Sequence, residues 1–208
     1  MKADVNELDN LLRSIRACRH CVETPMAAKL PHEPRPTLRA SATARLAVCS
    51  QAPGTRVHRS GIPFTDASGD RLRDWMGVSP QEFYDESRVA IVPMGFCFPG
   101  QDEKGADLPP RSECAVLWHG RLFAAMPQLE LILAVGSYAQ AWHLGEEAGA
   151  SLQETMLDWR LHSKRKARPR VLPLPHPSWR NNGWLKRNPW FEAELLPVLR
   201  REVRGLLR

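Results

Sequence analysis

The chain has 208 residues, of which 43% are hydrophobic and 25% are charged. This composition is typical of a globular protein long enough to build a substantial core, and it argues against global disorder. No apolar run approaches the roughly 20 residues of a membrane-spanning helix, which excludes a transmembrane protein. Residues 1–4 contain no apolar signal core, so we expect a cytoplasmic protein.

Positive charge is concentrated in the last quarter of the chain. The net charge is +6, but residues 160–208 contain 13 Lys or Arg and 3 Asp or Glu, so this segment carries +10. Residues 1–159 therefore carry −4. Three tryptophans lie in the basic segment: Trp179, Trp184 and Trp190. Because cations pair with phosphates and aromatic rings stack on bases, this segment fits a nucleic-acid surface. A solubilising tail with its tryptophans in the core is the alternative.

The predicted elements begin with an amphipathic helix over Val5–Arg16, followed by a proline-rich connector over residues 25–43. Four short apolar runs then predict buried strands: Arg45–Cys49, Val89–Val92, Leu129–Val135 and Val171–Leu174. Helical segments separate these strands: Asp70–Met76, Ser112–Met126, and Tyr138–Trp159 with an interruption. Strands that alternate with helices predict an α/β fold with a mainly parallel sheet covered on both faces.

We expect one domain over residues 1–208. Its α/β core would span residues 44–178, preceded by the N-terminal helix and the connector of residues 1–43. The segment 179–208 would form a basic, tryptophan-rich loop followed by a C-terminal helix from about Glu192. Trp190 and Phe191 would pack against that helix.

Two motifs follow predicted strands, at the sheet edge where ligands bind in parallel α/β folds. Ser50-Gln51-Ala52-Pro53-Gly54 follows the first strand, with Gly61-Ile62-Pro63-Phe64 shortly after it. Such a Gly/Pro-rich turn lets backbone amides approach a ligand closely. Pro175-His176-Pro177-Ser178 follows the fourth strand, and its prolines restrict the backbone around the imidazole.

Four of the five cysteines have a spacing that suggests one shared site. Cys18 and Cys21 form a Cys-x-x-Cys pair, while Cys97 follows the second strand and Cys114 comes after it with sixteen residues between the two. Four thiolates can hold an iron–sulfur cluster or zinc. The alternative is that Cys97 and Cys114 are ordinary buried thiols. Cys49, inside a predicted strand, fits a small core residue.

Taken together, these motifs resemble the uracil-DNA glycosylase superfamily, most closely its iron–sulfur family 4. Residues 51–54 and 61–64 stand where that family has its Gly-Glu-Ala-Pro-Gly turn and its Gly-x-Pro-Phe stretch, and residues 176–178 match its His-Pro-Ser motif. The cysteines follow the order and spacing of the family's cluster ligands: Cys18, Cys21, Cys97 and Cys114. The resemblance spans residues 15 to about 180.

The resemblance implies a three-layer α/β/α sandwich with a four-stranded, mainly parallel central sheet. It implies a DNA glycosylase that flips out a deaminated or damaged base, uracil or a related one, and hydrolyses its N-glycosidic bond in base-excision repair. The implied cofactor is a [4Fe–4S] cluster on the four cysteines, with zinc as the alternative occupant. We expect DNA containing a damaged base as partner, no membrane association, and a monomer.

The resemblance also implies roles for individual residues. His176 would donate a hydrogen bond to the departing base, and backbone amides around Gln51 would support it. Phe64 would stack on the flipped base, next to the turn residues that bind it: Ala52, Pro53 and Gly54. Phosphate contacts would come from Ser178 and from the basic residues that follow it: Arg180, Lys186 and Arg187.

Three positions depart from the family pattern. Gln51 replaces the usual Glu, and Ala52 stands where the classical uracil enzymes have an Asp, so no carboxylate is present to activate water. Asp66 and His58 are the local candidates for that role. Pro93 replaces an Asn that pairs with the uracil edge, so base preference differs from uracil or recognition uses backbone groups.

Two rival functions remain open. The absent carboxylates favour a non-catalytic iron–sulfur DNA-binding protein with a glycosylase-like fold, whereas the retained His176 and Phe64 favour an enzyme. A zinc-stabilised hydrolase of small nucleotides is the third possibility.

Overall fold

The computed structural model describes residues 5–208. The expectation that the N-terminus has no signal-peptide core concerns residues 1–4, which lie outside the described residues. Four strands form one sheet: β1 Leu46–Cys49, β2 Val89–Ile91, β3 Leu131–Val135 and β4 Arg170–Leu174. Their order is β2-β1-β3-β4 and all pairs are parallel. The α/β prediction is confirmed, and the four-stranded sheet is wholly rather than mainly parallel.

Alternating side chains of the strands build a core on each face of the sheet. In β1, Leu46 and Val48 pack in one core, whereas Ala47 and Cys49 pack in the other. This alternation is the two-residue period of an extended strand. Because both faces are covered, the strands need apolar side chains in both directions, which explains their unbroken apolar runs. Cys49 is a core residue, as predicted, and burial raises the pKa of its thiol.

Twelve α-helical segments in residues 5–208 connect and flank the strands. In chain order they are α1 Val5–Arg16, α2 His20–Glu23, α3 Thr55–Ser60, α4 Ala67–Met76, α5 Pro80–Phe83, α6 Ser112–Cys114, α7 Gly120–Ala124, α8 Ser137–Leu144, α9 Leu152–Leu157, α10 Trp159–Ser163, α11 Asn182–Arg187 and α12 Leu196–Leu206. A π-helical turn over Ala115–His119 joins α6 to α7. Helices α4 and α12 pack on one face of the sheet, and α1 and α7 pack on the other.

The largest difference from prediction lies in the basic, tryptophan-rich segment. Residues 179–191 were predicted to be a loop, but they contain a 3₁₀ turn over Trp179–Asn181 and helix α11. The reason is burial: Trp184 is 9% exposed and belongs to the core, so α11 docks on the protein instead of extending into solvent. The core assignment of Phe191 is confirmed, and Trp190 packs against the same core.

Some helix boundaries also differ from prediction. Helix α4 begins at Ala67 rather than Asp70, because the Asp66 side chain accepts a hydrogen bond from the Gly69 amide and caps the helix. The C-terminal helical segment begins at Phe191 with a π turn, one residue before the predicted start. The predicted interruption after Tyr138 falls between α8 and α9.

No helix in residues 5–208 is both long and apolar enough to span a membrane.

Helix α4 packs so closely on the Phe64 backbone that only glycine fits at position 69. An added Cβ there would overlap the carbonyl oxygen of Phe64 and stand 2.6 Å from its carbonyl carbon. We expect Gly69→Ala to lower the free energy of unfolding by about 3 kcal/mol, as overpacking against rigid backbone does. Urea unfolding measures this change. Gly205→Ala is the matched control, because its Cβ meets open space on α12. Equal midpoints for the two variants would contradict the packing argument.

Candidate active site

Both sequence motifs converge at the carboxyl edge of the sheet. Residues 50–54 continue from β1, and residues 175–178 continue from β4. The segment after β2 is tied to the first motif, because the amides of Met94 and Gly95 donate to the carbonyls of Ser50 and Gln51 at 2.8 and 2.9 Å. These segments surround a pocket of about 530 Å³.

Nine of the residues predicted for the site line this pocket. They are Gln51, Ala52, Pro53, Gly54, Phe64, Asp66, His176, Ser178 and Arg180. Lys186 and Arg187 lie outside it, exposed on α11. The pocket also contains residues that the motifs did not indicate: Thr37, Gln101, Asp107, Trp179 and Asn181. They come from the proline-rich connector, from the loop after β2 and from the 3₁₀ turn over Trp179–Asn181. The position of these segments at the sheet edge depends on tertiary contacts.

His176 is held as a neutral hydrogen-bond donor. Its Nδ1 accepts the Ser178 amide at 3.2 Å, and its backbone carbonyl accepts the Asn181 side-chain amide at 2.7 Å. Burial lowers the pKa of His176; the charge of Asp66 opposes this shift and that of Arg180 reinforces it. A neutral imidazole that accepts at Nδ1 carries its proton on Nε2. The ring is therefore prepared to donate from Nε2 into the pocket.

Gln51 and His176 approach each other over Gly136, the residue after β3. Gly136 has a φ of 85°, and an added Cβ would stand 3.2 Å from Gln51 Nε2 and 3.4 Å from His176 Cβ. A side chain at this position would therefore push the two motifs apart and strain the backbone. Gly136 went unrecognised at the sequence level because a lone glycine after a strand has no distinctive spacing.

Phe64 forms a rigid wall of the pocket. Its φ of 57° is left-handed, a conformation that costs a non-glycine residue free energy. Three contacts hold it: its carbonyl accepts from Arg73 Nη1 and from the Tyr84 hydroxyl, each at 3.1 Å, and its ring packs edge-on against Phe83. Strained, over-determined residues of this kind occur at functional sites, where they fix a side chain in place.

The two candidates for water activation occupy different positions. Asp66 lines the pocket, but its Oδ1 accepts the Gly69 amide at 3.1 Å as the cap of α4. His58 lies outside the pocket, where its ring contacts His32 and Phe98 at centroid distances of 4.3 and 5.7 Å. The structure therefore brings Asp66, and not His58, to the site.

The mouth of the pocket carries an exposed aromatic ring beside a cation. Trp179 is 73% exposed, and the Arg180 guanidinium lies 5.8 Å from its ring centre. Arg71 adds a second cation, donating to the Ser178 carbonyl at 3.3 Å and to Asn182 Oδ1 at 2.8 Å. Aromatic rings and guanidinium groups together suit a nucleic-acid strand. Of the three tryptophans in the basic segment, Trp179 has the exposure this requires.

The four predicted cysteine ligands lie near one another, but their side chains are not in a ligating arrangement. A hydrogen bond from the Cys114 thiol lowers the pKa of Cys21, and burial raises the pKa of Cys97 to about 12. Cys18 and Cys21 are close enough for their charge to act on Cys97. Within residues 5–208, no three Cys, His, Asp or Glu side chains are arranged to hold a metal ion.

One comparison with known proteins identifies the family. The family model of the uracil DNA glycosylase superfamily matches residues 39–200. The chain belongs to this superfamily. The match includes all four strands and both strand-end motifs, whereas the Cys18–Cys21 pair precedes it. Membership in the uracil DNA glycosylase superfamily indicates a DNA glycosylase-like hydrolase that binds DNA, as the motifs predicted.

Substitution of Arg180 tests whether the mouth of the pocket contacts DNA phosphates. We expect Arg180→Ala to weaken DNA binding and to reduce the slope of log K against log salt by about 0.9 for duplex DNA, the equivalent of one phosphate contact. Fluorescence anisotropy at several salt concentrations measures the slope. Arg201→Ala removes the same charge from α12, outside the pocket, and should leave the slope unchanged. An unaltered slope in Arg180→Ala would exclude the contact.

Proposed function

We propose that the protein excises a deaminated or damaged base, uracil or a related one, from DNA in base-excision repair, and that it belongs to family 4 of its superfamily. The main support for this proposal is the state of His176. Its Nδ1 accepts the Ser178 amide, so the neutral ring carries its proton on Nε2 and can donate it in the pocket at the sheet edge. Such a donor stabilises negative charge as it develops on a departing base.

The pocket residues account for the main steps of base excision. A flipped base enters the pocket of about 530 Å³ and stacks against Phe64. Flipping costs a few kcal/mol, and stacking together with phosphate contacts from Ser178 and Arg180 offsets it. As the glycosidic bond breaks, the sugar gains oxocarbenium character and the base gains negative charge. A hydrogen bond from His176 to that charged base contributes about 1.5–3 kcal/mol.

Base selectivity in this proposal depends on the wall formed by Pro93. Pro93 lines the pocket without a side-chain donor or acceptor, and its carbonyl is in contact with His119 Nε2 at 3.2 Å. Burial lowers the pKa of His119 to about 4, so that ring is neutral. With no side-chain amide at this wall, the base edge is read by the backbone of residues 51–54. Substrates therefore extend beyond uracil to bases with similar oxygen-bearing edges.

We also propose that Cys18, Cys21, Cys97 and Cys114 hold a [4Fe–4S] cluster. One thiol comes from the link between α1 and α2, one from α2, and two from the ends of the 97–114 segment, and together they match the donor set of such a cluster. The cluster would supply structural cross-linking, tying α1 to the segment that lies beside the pocket. Zinc on the same thiolates is the alternative occupant.

The decisive experiment is a cleavage assay on a panel of lesions. Oligonucleotides carrying uracil, hypoxanthine or xanthine, single-stranded and duplex, are incubated with metal-loaded protein and then treated with alkali. We expect strand scission at the lesion for at least one base. Binding without scission on the whole panel would instead support the second candidate, a non-catalytic DNA-binding protein, which the absence of carboxylates at Gln51 and Ala52 favours.

A further inference from the structure

The pocket contains one carboxylate that neither sequence motif supplies. Asp107 lies in the loop between β2 and α6 and lines the pocket. Its Oδ2 stands 3.2 Å from the point that a Cβ on Gly54 would occupy, so the carboxylate reaches the end of the first motif. Glycine at position 54 leaves room for this approach.

The loop that carries Asp107 is ordered by its own hydrogen bonds. Gln101 and Asp107 form an antiparallel bridge, and the Asp102 carboxylate accepts the amides of Lys104 and Ala106 at 2.9 and 2.8 Å. The Leu108 amide closes the loop on the Gly100 carbonyl at 2.9 Å. These hydrogen bonds fix the loop that places Asp107 at the pocket.

The Asp107 carboxylate is held through one oxygen, which leaves its other oxygen next to the first motif. Gln101 Nε2 donates to Asp107 Oδ1 at 3.1 Å and thereby orients the group. Among the described residues, no donor contacts Oδ2, which points toward the first motif. Asp66 and Asp107 are the acidic residues that line the pocket. Asp66 Oδ1 is bound to the Gly69 amide at the start of α4, whereas Asp107 Oδ2 approaches Gly54 of the first motif.

We propose that Asp107 positions the hydrolytic water and accepts its proton, replacing the carboxylates absent from positions 51 and 52. This inference rests on the proposed glycosylase activity. The water oxygen forms a bond to the sugar C1′, and its proton passes to Asp107 Oδ2. The electron pair of the C1′–N bond leaves with the base, which is stabilised by the hydrogen bond from His176 and takes a proton from solvent after departure.

The test compares Asp107→Asn with a charge-matched control in the same loop. Glu103→Gln also removes one negative charge from an exposed position of the same loop, but Glu103, unlike Asp107, does not line the pocket. We expect Asp107→Asn to lower the single-turnover rate of base release by about 10²–10⁴-fold, the contribution of general-base catalysis. Affinity for an oligonucleotide with an uncleavable 2′-fluoro lesion nucleotide should be unchanged or tighter. Glu103→Gln should match wild type in both measurements.

Chemical rescue separates proton transfer from a structural effect. Added formate should restore part of the rate to Asp107→Ala, and it should do nothing for wild type or for Glu103→Ala. A rate within threefold of wild type for Asp107→Asn, an equal loss in Glu103→Gln, or a failure of rescue would overturn the role of Asp107 while the wild-type arm still reports glycosylase activity. If wild type cleaves no lesion, the proposed function itself fails, and this inference falls with it.

Discussion

Replacing His176 with alanine should lower the single-turnover rate of base release by about 100-fold or more, with little change in DNA affinity. The physical reason is that the Nε2–H bond forms chiefly as charge develops on the base, so its loss raises the barrier more than it weakens the ground-state complex. Rapid-quench cleavage and anisotropy measure the two quantities separately.

His58→Asn is the control, since that histidine lies outside the pocket and its replacement should leave the rate within a few-fold of wild type. The far-ultraviolet circular dichroism signal of the helices checks that both variants are folded. Equal rates for His176→Ala and wild type would remove the imidazole from the mechanism, and with it the observation on which the proposed function depends.

Replacing Cys21 or Cys114 with serine should abolish the broad absorbance near 400 nm and the bound iron that we expect of the purified protein. A [4Fe–4S] cluster needs all four thiolates, and loss of one removes the cross-link between α1 and the segment before α6. We therefore also expect a lower melting temperature. Iron and zinc analysis, visible absorbance and thermal melting measure these changes.

Cys49→Ala is the matched cysteine control. This thiol is fully buried in β1, in the core between α1 and the sheet, and takes no part in the proposed site. The variant should keep its metal content and absorbance, and its stability should fall only by the cost of a small cavity. Identical metal content in wild type and in Cys21→Ser would show that the four cysteines do not share a ligand site.

The strands and the two motifs were predictable because their signals are local. Each strand is buried on both faces, so its apolar run appears directly in the sequence, and every boundary falls within two residues of the prediction. The motifs follow strand ends, and parallel strands place their carboxyl ends at one edge of a sheet. That both motifs lie at one edge of the sheet therefore followed from the fold class, whereas the strand order, which places β3 and Gly136 between them, came from the structure.

The tryptophan-rich segment shows where local signals fail. Trp179 and Trp184 are both surrounded by basic and polar residues in the sequence, yet one is 73% exposed and the other 9%. Helix α11 turns Trp184 onto the core beside Phe191, with ring centres 5.9 Å apart, and leaves Trp179 at the pocket mouth. Both tryptophans lie in the same basic segment, and their packing in the structure separates them.

The sequence by itself determined the α/β class, the strand positions and the two motifs that line the pocket, because these depend on hydrophobic periodicity and on neighbours in the chain. Only the tertiary structure decided the other pocket residues. Asp107 reaches the site because a compact loop folds back onto Gly54, and His58 is excluded because α3 turns its ring toward His32 and Phe98. Such contacts join residues far apart in sequence, and no local pattern records them.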